Sequence, residues 1–165
     1  MTIEELEQKV QMLEDIEAIK QMHNEYIFCL INREYERMVD FYAEDAELDV
    51  VTYTIEKGKP KRTFEKGTKE IKKFLTETIK NYNLETEGET PKGGHFLVQP
   101  VIAVEGDKAT GHWMLERMVE EGMTEAGSRW ALRQARYDCE YIKEDGHWKF
   151  WRVSLTHPWP GKAAQ

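Results

Sequence analysis

Hydrophobic residues recur at helical spacing from position 3 to position 30. They are Ile3, Leu6, Val10, Leu13, Ile16, Ile19, Tyr26, Phe28 and Leu30. The steps of three and four residues at the start of this stripe predict an amphipathic helix, and the stripe continues to Leu30. Thr2 followed by Glu5 has the spacing of a capping box, which places the start of the helix there. Asn32 is expected to end it, and residues 34–42 are predicted to form a second, short helix.

The pattern then changes to β structure and back to helix. Residues 48–55 are rich in β-branched side chains and predict a strand. Residues 57–60 read as a turn, and residues 61–64 as the returning strand. Thr68 is a predicted N-cap for a helix whose apolar face would be Ile71, Phe74, Leu75 and Ile79. Residues 83–94, rich in glycine, are expected to form a mobile loop.

The remainder of the chain predicts long antiparallel strands. They are expected at residues 95–104, 109–120, 128–142 and 147–156. Asp145-Gly146 is a strong two-residue hairpin turn. Helices followed by an antiparallel sheet predict an α+β fold with the helices against one sheet face. We expect a single domain over residues 1–165, in which residues 1–14 can extend as a helical arm.

The hairpin turn predicts which side chains share a face of the last two strands. With Asp145 and Gly146 as the loop, one face would carry Gln134, Arg136, Asp138 and Glu140 beside Trp151, Val153, Leu155 and His157. The other would carry Tyr137, Cys139 and Tyr141 beside Phe150, Arg152 and Ser154. Neither face is cleanly apolar in this register. That mixture fits the wall of a ligand cavity or a subunit interface, and both interpretations stay open.

The register of the preceding hairpin cannot be fixed from spacing. Its loop, residues 105–108, is four residues long, and a bulge would shift the pairing by one position. His95 therefore shares a face with either Glu116 or Arg117.

The charge composition argues against two classes of binding partner. The chain has 165 residues and a net charge of −8, which argues against nucleic acid and against an anionic membrane surface. Cys29 and Cys139 form no CxxC and are expected to be buried thiols. The N-terminus lacks the features of a signal peptide, and no apolar run approaches the ~20 residues of a membrane span. We expect a cytoplasmic protein.

Three stretches together resemble a known family. They are LEDIEAIKQMHNEYIFCLINREYERMVDFYAEDAEL, HFLVQPVIAVEGDKATGHWML and RYDCEYIKEDGHWKFWRVSL. Their order is similar to that of SnoaL-like proteins, in the nuclear-transport-factor-2-like superfamily. The resemblance implies a cone-shaped, cystatin-like α+β barrel: a curved, mostly antiparallel sheet wrapped around N-terminal helices and a central pocket. The patterns nearest to this one are those of bile acid 7α-dehydratase and scytalone dehydratase; polyketide cyclases and proteins without activity also belong to the family.

The resemblance also assigns site residues. Tyr26 falls at the family's helix tyrosine, and His95 at its catalytic histidine. His157 falls where the bile acid enzyme has an arginine, whereas Ile31 and Arg117 fall where it has carboxylates. The missing carboxylates put dehydration of the family's usual kind in question.

Histidine suits proton abstraction next to a carbonyl, because its unperturbed pKa of ~6.5 lies near working pH. His95 is the predicted base, and Tyr26 the predicted donor to a developing enolate oxygen or a leaving water. The predicted substrate-binding residues are Tyr53, Trp113, Glu116, Arg117, Trp151 and His157. His23 and His147 are expected to be exposed. This chemistry needs no cofactor, and the sequence contains no metal-binding histidine motif.

Two hypotheses follow. The first is a cofactor-free dehydratase, isomerase or cyclase acting on a hydrophobic ring-bearing ketone or hydroxy compound. The second is a non-catalytic binding or assembly domain on the same fold, and a homodimer or homotrimer is expected in either case.

Overall fold

The computed structural model describes residues 1–53, 60–88, 93–124 and 127–157. The helices are α1 (Ile3–Ile31), a short 3-10 helix (Arg37–Phe41), α2 (Thr68–Lys73), a π-helix (Phe74–Ile79) and α3 (Lys80–Glu87). The strands are β1 (Tyr42–Tyr53), β2 (Pro60–Lys66), β3 (His95–Glu105), β4 (Lys108–Thr124), β5 (Gly127–Glu144) and β6 (His147–His157). The predicted α+β class is confirmed.

Helix α1 begins and ends close to where the sequence predicts. Thr2 and Glu5 form the capping box, and Asn32 is the C-cap. The side chains of residues 1–14 are exposed, and burial begins at Asp15. Phe28, predicted to face the core, is instead 63% exposed. The buried face of α1 consists of Asp15, Ile19, His23, Tyr26, Ile27 and Cys29.

The six strands form one curved, unclosed sheet in the order β2-β1-β6-β5-β4-β3. Strands β1 and β6 run parallel, and the other neighbours are antiparallel. One face of the sheet, called here the inward face, carries the buried core. Its buried members on β4, β5 and β6 are Ala109, Trp113, Leu115, Ala135, Tyr137, Cys139, Tyr141, Trp148, Phe150 and Val153.

A β-bulge at Trp151 overturns the predicted faces of the last hairpin. Glu144 pairs with His147 as expected, but the register shifts between Tyr141 and Glu140 because β6 holds one extra residue. Beyond the bulge Cys139 pairs with Val153, and Tyr137 with Leu155. A shift of one position exchanges the two faces of β6 beyond the bulge. Tyr141 still lies beside Phe150 as predicted, but Val153 and Leu155 share the inward face with Cys139 and Tyr137, so their predicted grouping with Asp138 and Arg136 is wrong.

A second bulge settles the open register of the β3–β4 hairpin. The turn is Gly106-Asp107, with Glu105 paired to Lys108, and the register shifts at Gln99-Pro100. Beyond that shift His95 pairs with Arg117. His95 therefore shares the inward face with Arg117 and not with Glu116.

Other boundaries differ locally from prediction. Tyr42 starts β1 instead of ending a helix, and the helical segment continues through Asn83 to Glu87 where a loop was predicted. Residues 57–59 of the predicted turn at 57–60, and residues 89–92 of the predicted loop, lie outside the described residues, whereas Pro60 begins β2. No helix within the described ranges is long and apolar enough to cross a membrane.

One polar anchor joins α1 to the β5–β6 hairpin. The Asp15 carboxylate accepts hydrogen bonds from Lys143 Nζ at 2.7 Å and from Trp148 Nε1 at 2.9 Å. Burial opposes ionisation of Asp15, but these bonds and one from Gln11 outweigh it and hold its pKa below the ordinary value. The anchor fixes the N-terminal half of α1 over the inward face.

Candidate functional site

A buried histidine of α1 packs against the inward face of the sheet. His23 is fully buried, and its ring packs edge-on against Trp113, Tyr137 and Phe150 with centroids 4.8 to 5.0 Å apart. Its Nδ1 lies 3.2 Å from the Tyr141 hydroxyl. Its Nε2 has no hydrogen-bond partner among the described residues. Burial lowers the pKa of His23 to about 3, so the ring is neutral at pH 7.

Tyrosine hydroxyls surround this position. Tyr26 and Tyr42 share a hydrogen bond of 2.9 Å, and the Tyr141 hydroxyl accepts one from Trp113 Nε1 at 2.9 Å. Burial raises the pKa of Tyr26 well above its ordinary value, and the Tyr42 hydroxyl adds to the effect. Tyr26 is therefore a neutral phenol that donates or accepts hydrogen bonds at any working pH.

A second polar group lies at the end of the inward face away from the Asp145-Gly146 turn, called here the open end. His95, Arg117 and Arg133 stand directly opposite one another across β3, β4 and β5. His157, at the end of β6, is close enough to Arg117 for an electrostatic interaction between the two side chains. Burial first, and then repulsion by the Arg117 guanidinium, lower the pKa of His157 to about 4. His157 is thus a neutral imidazole at pH 7.

Apolar side chains connect the two polar groups. Leu97 pairs with Leu115, and Leu115 with Ala135, one step along the inward face from the row of His95. Leu115 and Ala135 are 3% and 1% exposed. The inward face thus has three regions. The deep end, as it is called here, carries Tyr137 and Tyr141 and is covered by His23 and Tyr26 of α1; the middle is apolar, and the open end is basic.

The two residues of the predicted catalytic pair lie in different polar groups. His95 stands in the row of Arg117, and Tyr26 lies among the buried tyrosines. Tyr26 contacts the rings of Tyr42 and Phe150, and on β5 it lies near Tyr137 and Cys139. Those positions are four and six residues along β5 from Arg133, which stands in the row of His95. At about 3.3 Å per residue, the two rows lie about 13 to 20 Å apart along β5.

The other predicted residues divide between the two faces. Trp113 is buried at the deep end. Glu116 lies on the outward face, where it accepts a hydrogen bond from Gln134 at 3.2 Å, so it does not support the His95 ring. Trp151 is exposed in its bulge. Tyr53 ends β1, and its side chain lies outside the described part of the structure.

A groove of about 510 Å³ lies outside the inward face, between the end of α1 and the π-helix. Its lining includes Arg33, Tyr35 and Lys80. Asn83 donates a 2.9 Å hydrogen bond to the Tyr35 hydroxyl, and Arg33 donates to the Gly88 carbonyl. None of the predicted site residues lines this groove. No cluster of histidine, cysteine or carboxylate side chains in the described ranges has the arrangement of a metal site.

Comparison with known proteins identifies the family. A sequence model of the SnoaL-like domain matches residues 11–154. The chain belongs to the SnoaL-like domain family. No curated protein matches the chain.

Solved structures share the SnoaL-like fold at low sequence identity. An NTF2-like protein with a cystatin-like fold from Novosphingobium aromaticivorans is 19% identical, with a TM-score of 0.73 over 99% of this chain and 94% of that one. A hexachlorocyclohexane dehydrochlorinase from Novosphingobium barchaimii is 20% identical, with a TM-score of 0.65 over 89% and 88%. A candidate scytalone dehydratase from N. aromaticivorans is 21% identical, with a TM-score of 0.63 over 87% and 83%. These likenesses support the fold.

Sequence reasoning missed part of this SnoaL-like interior. His23, predicted to be exposed, is buried, and Tyr42 and Tyr141 were not recognised as members of the polar group. One signal was present: His23 stands four residues after Ile19 and four before Ile27, on the apolar stripe of α1.

Proposed function

We propose that this SnoaL-like protein is a cofactor-free enzyme that moves a proton on a hydrophobic ring-bearing ketone or hydroxy compound. Its reaction class is that of a dehydratase, isomerase or cyclase. The observation that carries the proposal is the row in which His95 stands opposite Arg117, next to the apolar pair Leu97 and Leu115. A base beside a fixed positive charge, at the edge of an apolar surface, suits the formation of an enolate.

In this mechanism the His95 imidazole removes a proton from the carbon next to a carbonyl. The electron pair of the C–H bond moves into an enolate, and Arg117 stabilises the negative charge on its oxygen. The imidazolium then returns the proton to another carbon, or gives it to a leaving hydroxyl group. Tyr26 and Tyr42, which share a hydrogen bond, would bind a second oxygen of the substrate.

The names of two structural neighbours support this class of reaction. One is a candidate scytalone dehydratase, and the other a hexachlorocyclohexane dehydrochlorinase. Both names describe eliminations, which a positioned base can promote.

Deuterium exchange tests the role of His95 without knowledge of the natural substrate. 1-Tetralone in D2O serves as the probe, and mass spectrometry follows deuterium uptake next to its carbonyl. We expect wild-type protein to accelerate exchange and His95→Gln to lose about a hundredfold or more of that rate. His112→Gln is the matched control, because His112 lies on the outward face. A His95→Gln protein as fast as wild type would eliminate the proposal.

A second candidate is a non-catalytic assembly domain, and the outward face of the sheet favours it. Exposed apolar side chains gather there near the open end: Phe96, Met118, Trp130 and Leu132. Burial of such a patch against another copy would give a homodimer or homotrimer. Light scattering measures the mass in solution, and Leu132→Asp should shift an oligomer to monomer. A strictly monomeric wild-type protein would contradict this candidate.

A further inference from the structure

The first half of α1 carries an apolar stripe on its exposed surface. Residues 1–14, called here the arm, are all exposed. The stripe consists of Ile3, Leu6, Val10 and Leu13, which are 46 to 73% exposed. Single exposed apolar residues are ordinary on a protein surface, whereas a contiguous exposed patch is typical of an interaction site. The arm is therefore a candidate contact surface.

The spacing of the stripe is that of a coiled coil. Its steps of three, four and three residues match alternating a and d positions of a heptad repeat. The a positions hold Ile3 and Val10, and the d positions hold Leu6 and Leu13. β-Branched residues at a with leucine at d favour a parallel pair of helices over larger bundles. Glu17 takes the next a position, so the apolar seam is limited to the arm.

The stripe points away from the protein's own sheet. The buried face of α1, which begins at Asp15 and includes Ile19 and His23, packs on the inward face of the sheet. At ~3.6 residues per turn, the stripe lies about 160° around the helix from that buried face. A second helix seated on the stripe would therefore not meet the sheet, and the two domains would lie on the outer sides of the pair.

Charges beside the stripe distinguish the two orientations that a pair can take. Glu7 and Glu14 occupy e positions, and Lys9 occupies a g position. A parallel pair places the g position of each helix against the following e position of the other, so Lys9 would face Glu14 of the second copy. An antiparallel pair would place e against e, and hence carboxylate against carboxylate. Lys9 and Glu14 have no ion-pair partner among the described residues, so both side chains are available for the parallel contact.

We propose that the arm pairs with the arm of a second copy of this chain as a short parallel coiled coil, which makes the protein a dimer. The arm continues into the part of α1 that Lys143 and Trp148 hold through Asp15, so pairing does not bear the cost of starting a helix. Two heptads form a small interface, and we expect dissociation in the micromolar range. The arm adjoins the anchor at Asp15 and lies apart from the open end, so this inference is independent of the proposed function.

Sedimentation velocity of the full chain, from about 1 to 200 µM, measures the pairing. Wild type should form a reversible dimer. Leu6→Glu should weaken it about a hundredfold, because both copies lose a buried d residue and gain a charge in the seam. Gln8→Glu is the matched control: it adds the same charge at an f position on the opposite side of the arm, and should leave the dissociation constant within about twofold. Each variant replaces an exposed side chain, and circular dichroism confirms that it folds.

Exchanged charges test the contact between Lys9 and Glu14. Lys9→Glu and Glu14→Lys should each weaken self-association about tenfold at low salt, because like charges then face each other across the seam. An equimolar mixture of the two variants should pair as tightly as wild type, because each cross-helix contact then joins opposite charges. A mixture that pairs no better than either variant alone would overturn the proposed contact.

Cross-linking tests the orientation. Ile3→Cys should form a disulfide-linked dimer under mild oxidation, because the same a positions face each other in a parallel pair. In an antiparallel pair aligned along the stripe, the two positions would lie about 15 Å apart, beyond the reach of a disulfide. The native Cys29 and Cys139 are buried, and wild type serves as the background.

The inference would be overturned by wild type that stays monomeric throughout the concentration range, by a dimer that Leu6→Glu leaves intact, or by a dimer in which Ile3→Cys does not cross-link. A dimer retained in Leu6→Glu but lost in Leu132→Asp would assign assembly to the outward face instead. Deuterium exchange is measured separately, so the failure of either proposal leaves the other standing.

Discussion

The buried His23 makes the stability of the fold depend on pH. Its pKa is about 3 in the folded protein and 6.5 when exposed. Between these values the unfolded chain binds a proton that the folded chain does not, so stability falls as the pH drops. From the two values, His23 alone should cost about 2 kcal/mol at pH 5 and about 3 kcal/mol at pH 4, relative to pH 7.

His23→Phe isolates this contribution. Phenylalanine retains an aromatic ring among Trp113, Tyr137 and Phe150, and removes the unpartnered Nε2. At pH 7 we expect its free energy of unfolding to lie within about 1 kcal/mol of wild type, because the lost bond to Tyr141 is offset by removal of an unsatisfied buried group.

Urea unfolding at pH 7 and pH 5 measures the difference. Wild type should lose about 2 kcal/mol more than His23→Phe between these conditions. His157 contributes acid sensitivity of the same sign in both proteins, so it cancels in the comparison. His147→Gln, an exposed histidine in the hairpin, is the control and should behave as wild type. Equal losses in wild type and His23→Phe would refute the reasoning.

Two further predictions concern charged groups. Asp15→Ala should destabilise the fold by about 3 kcal/mol in urea unfolding, because it leaves Lys143 and Trp148 without their buried acceptor. The wild-type advantage should be present above pH ~4 and fade below it, because the folded pKa of Asp15 is depressed; a loss under about 0.5 kcal/mol would argue against the anchor. Arg117→Gln should raise the pKa of His157, since one cause of its low value is removed. An NMR titration of the imidazole measures this, and an unchanged pKa would show that burial alone sets it.

The sequence pattern predicted the type of most elements because the hydrophobic residues in each element repeat with a regular period over many positions. The capping box of Thr2 and Glu5 fixes the start of α1, and Asp145-Gly146 fixes the last turn. The order of strands was not predictable from spacing, since the parallel pairing of β1 with β6 joins segments far apart in the chain.

The faces of the sheet were harder to predict than its strands. Trp151 is one extra residue in β6, and nothing in the alternation of WKFWRV marks it as a bulge. That one residue decides whether Val153 and Leu155 share a face with Tyr137. The bulge at Gln99-Pro100 likewise places Arg117, and not Glu116, beside His95.

The sequence therefore indicated individual candidate residues for the site, but not which of them lie near one another. The resemblance drew attention to His95 and Tyr26, and the structure places His95 on the inward face of the sheet and Tyr26 on α1, against Tyr42 and Phe150. His157 comes near Arg117, which stands opposite His95, only because β3, β4, β5 and β6 lie side by side in the sheet.

The histidines provide the most direct test of the central claim that the open end of the inward face binds an apolar ligand. His95 and His157 lie on that face, His112 lies on the other, and His147 lies at the hairpin turn. Two-dimensional ¹H–¹⁵N spectra of the imidazoles, recorded during titration with N-phenyl-1-naphthylamine, report on all of them at once. The account predicts saturable shifts at His95 and His157 with His112 and His147 unmoved. Shifts confined to His112, or no shift at His95 and His157 while the probe binds, would contradict it.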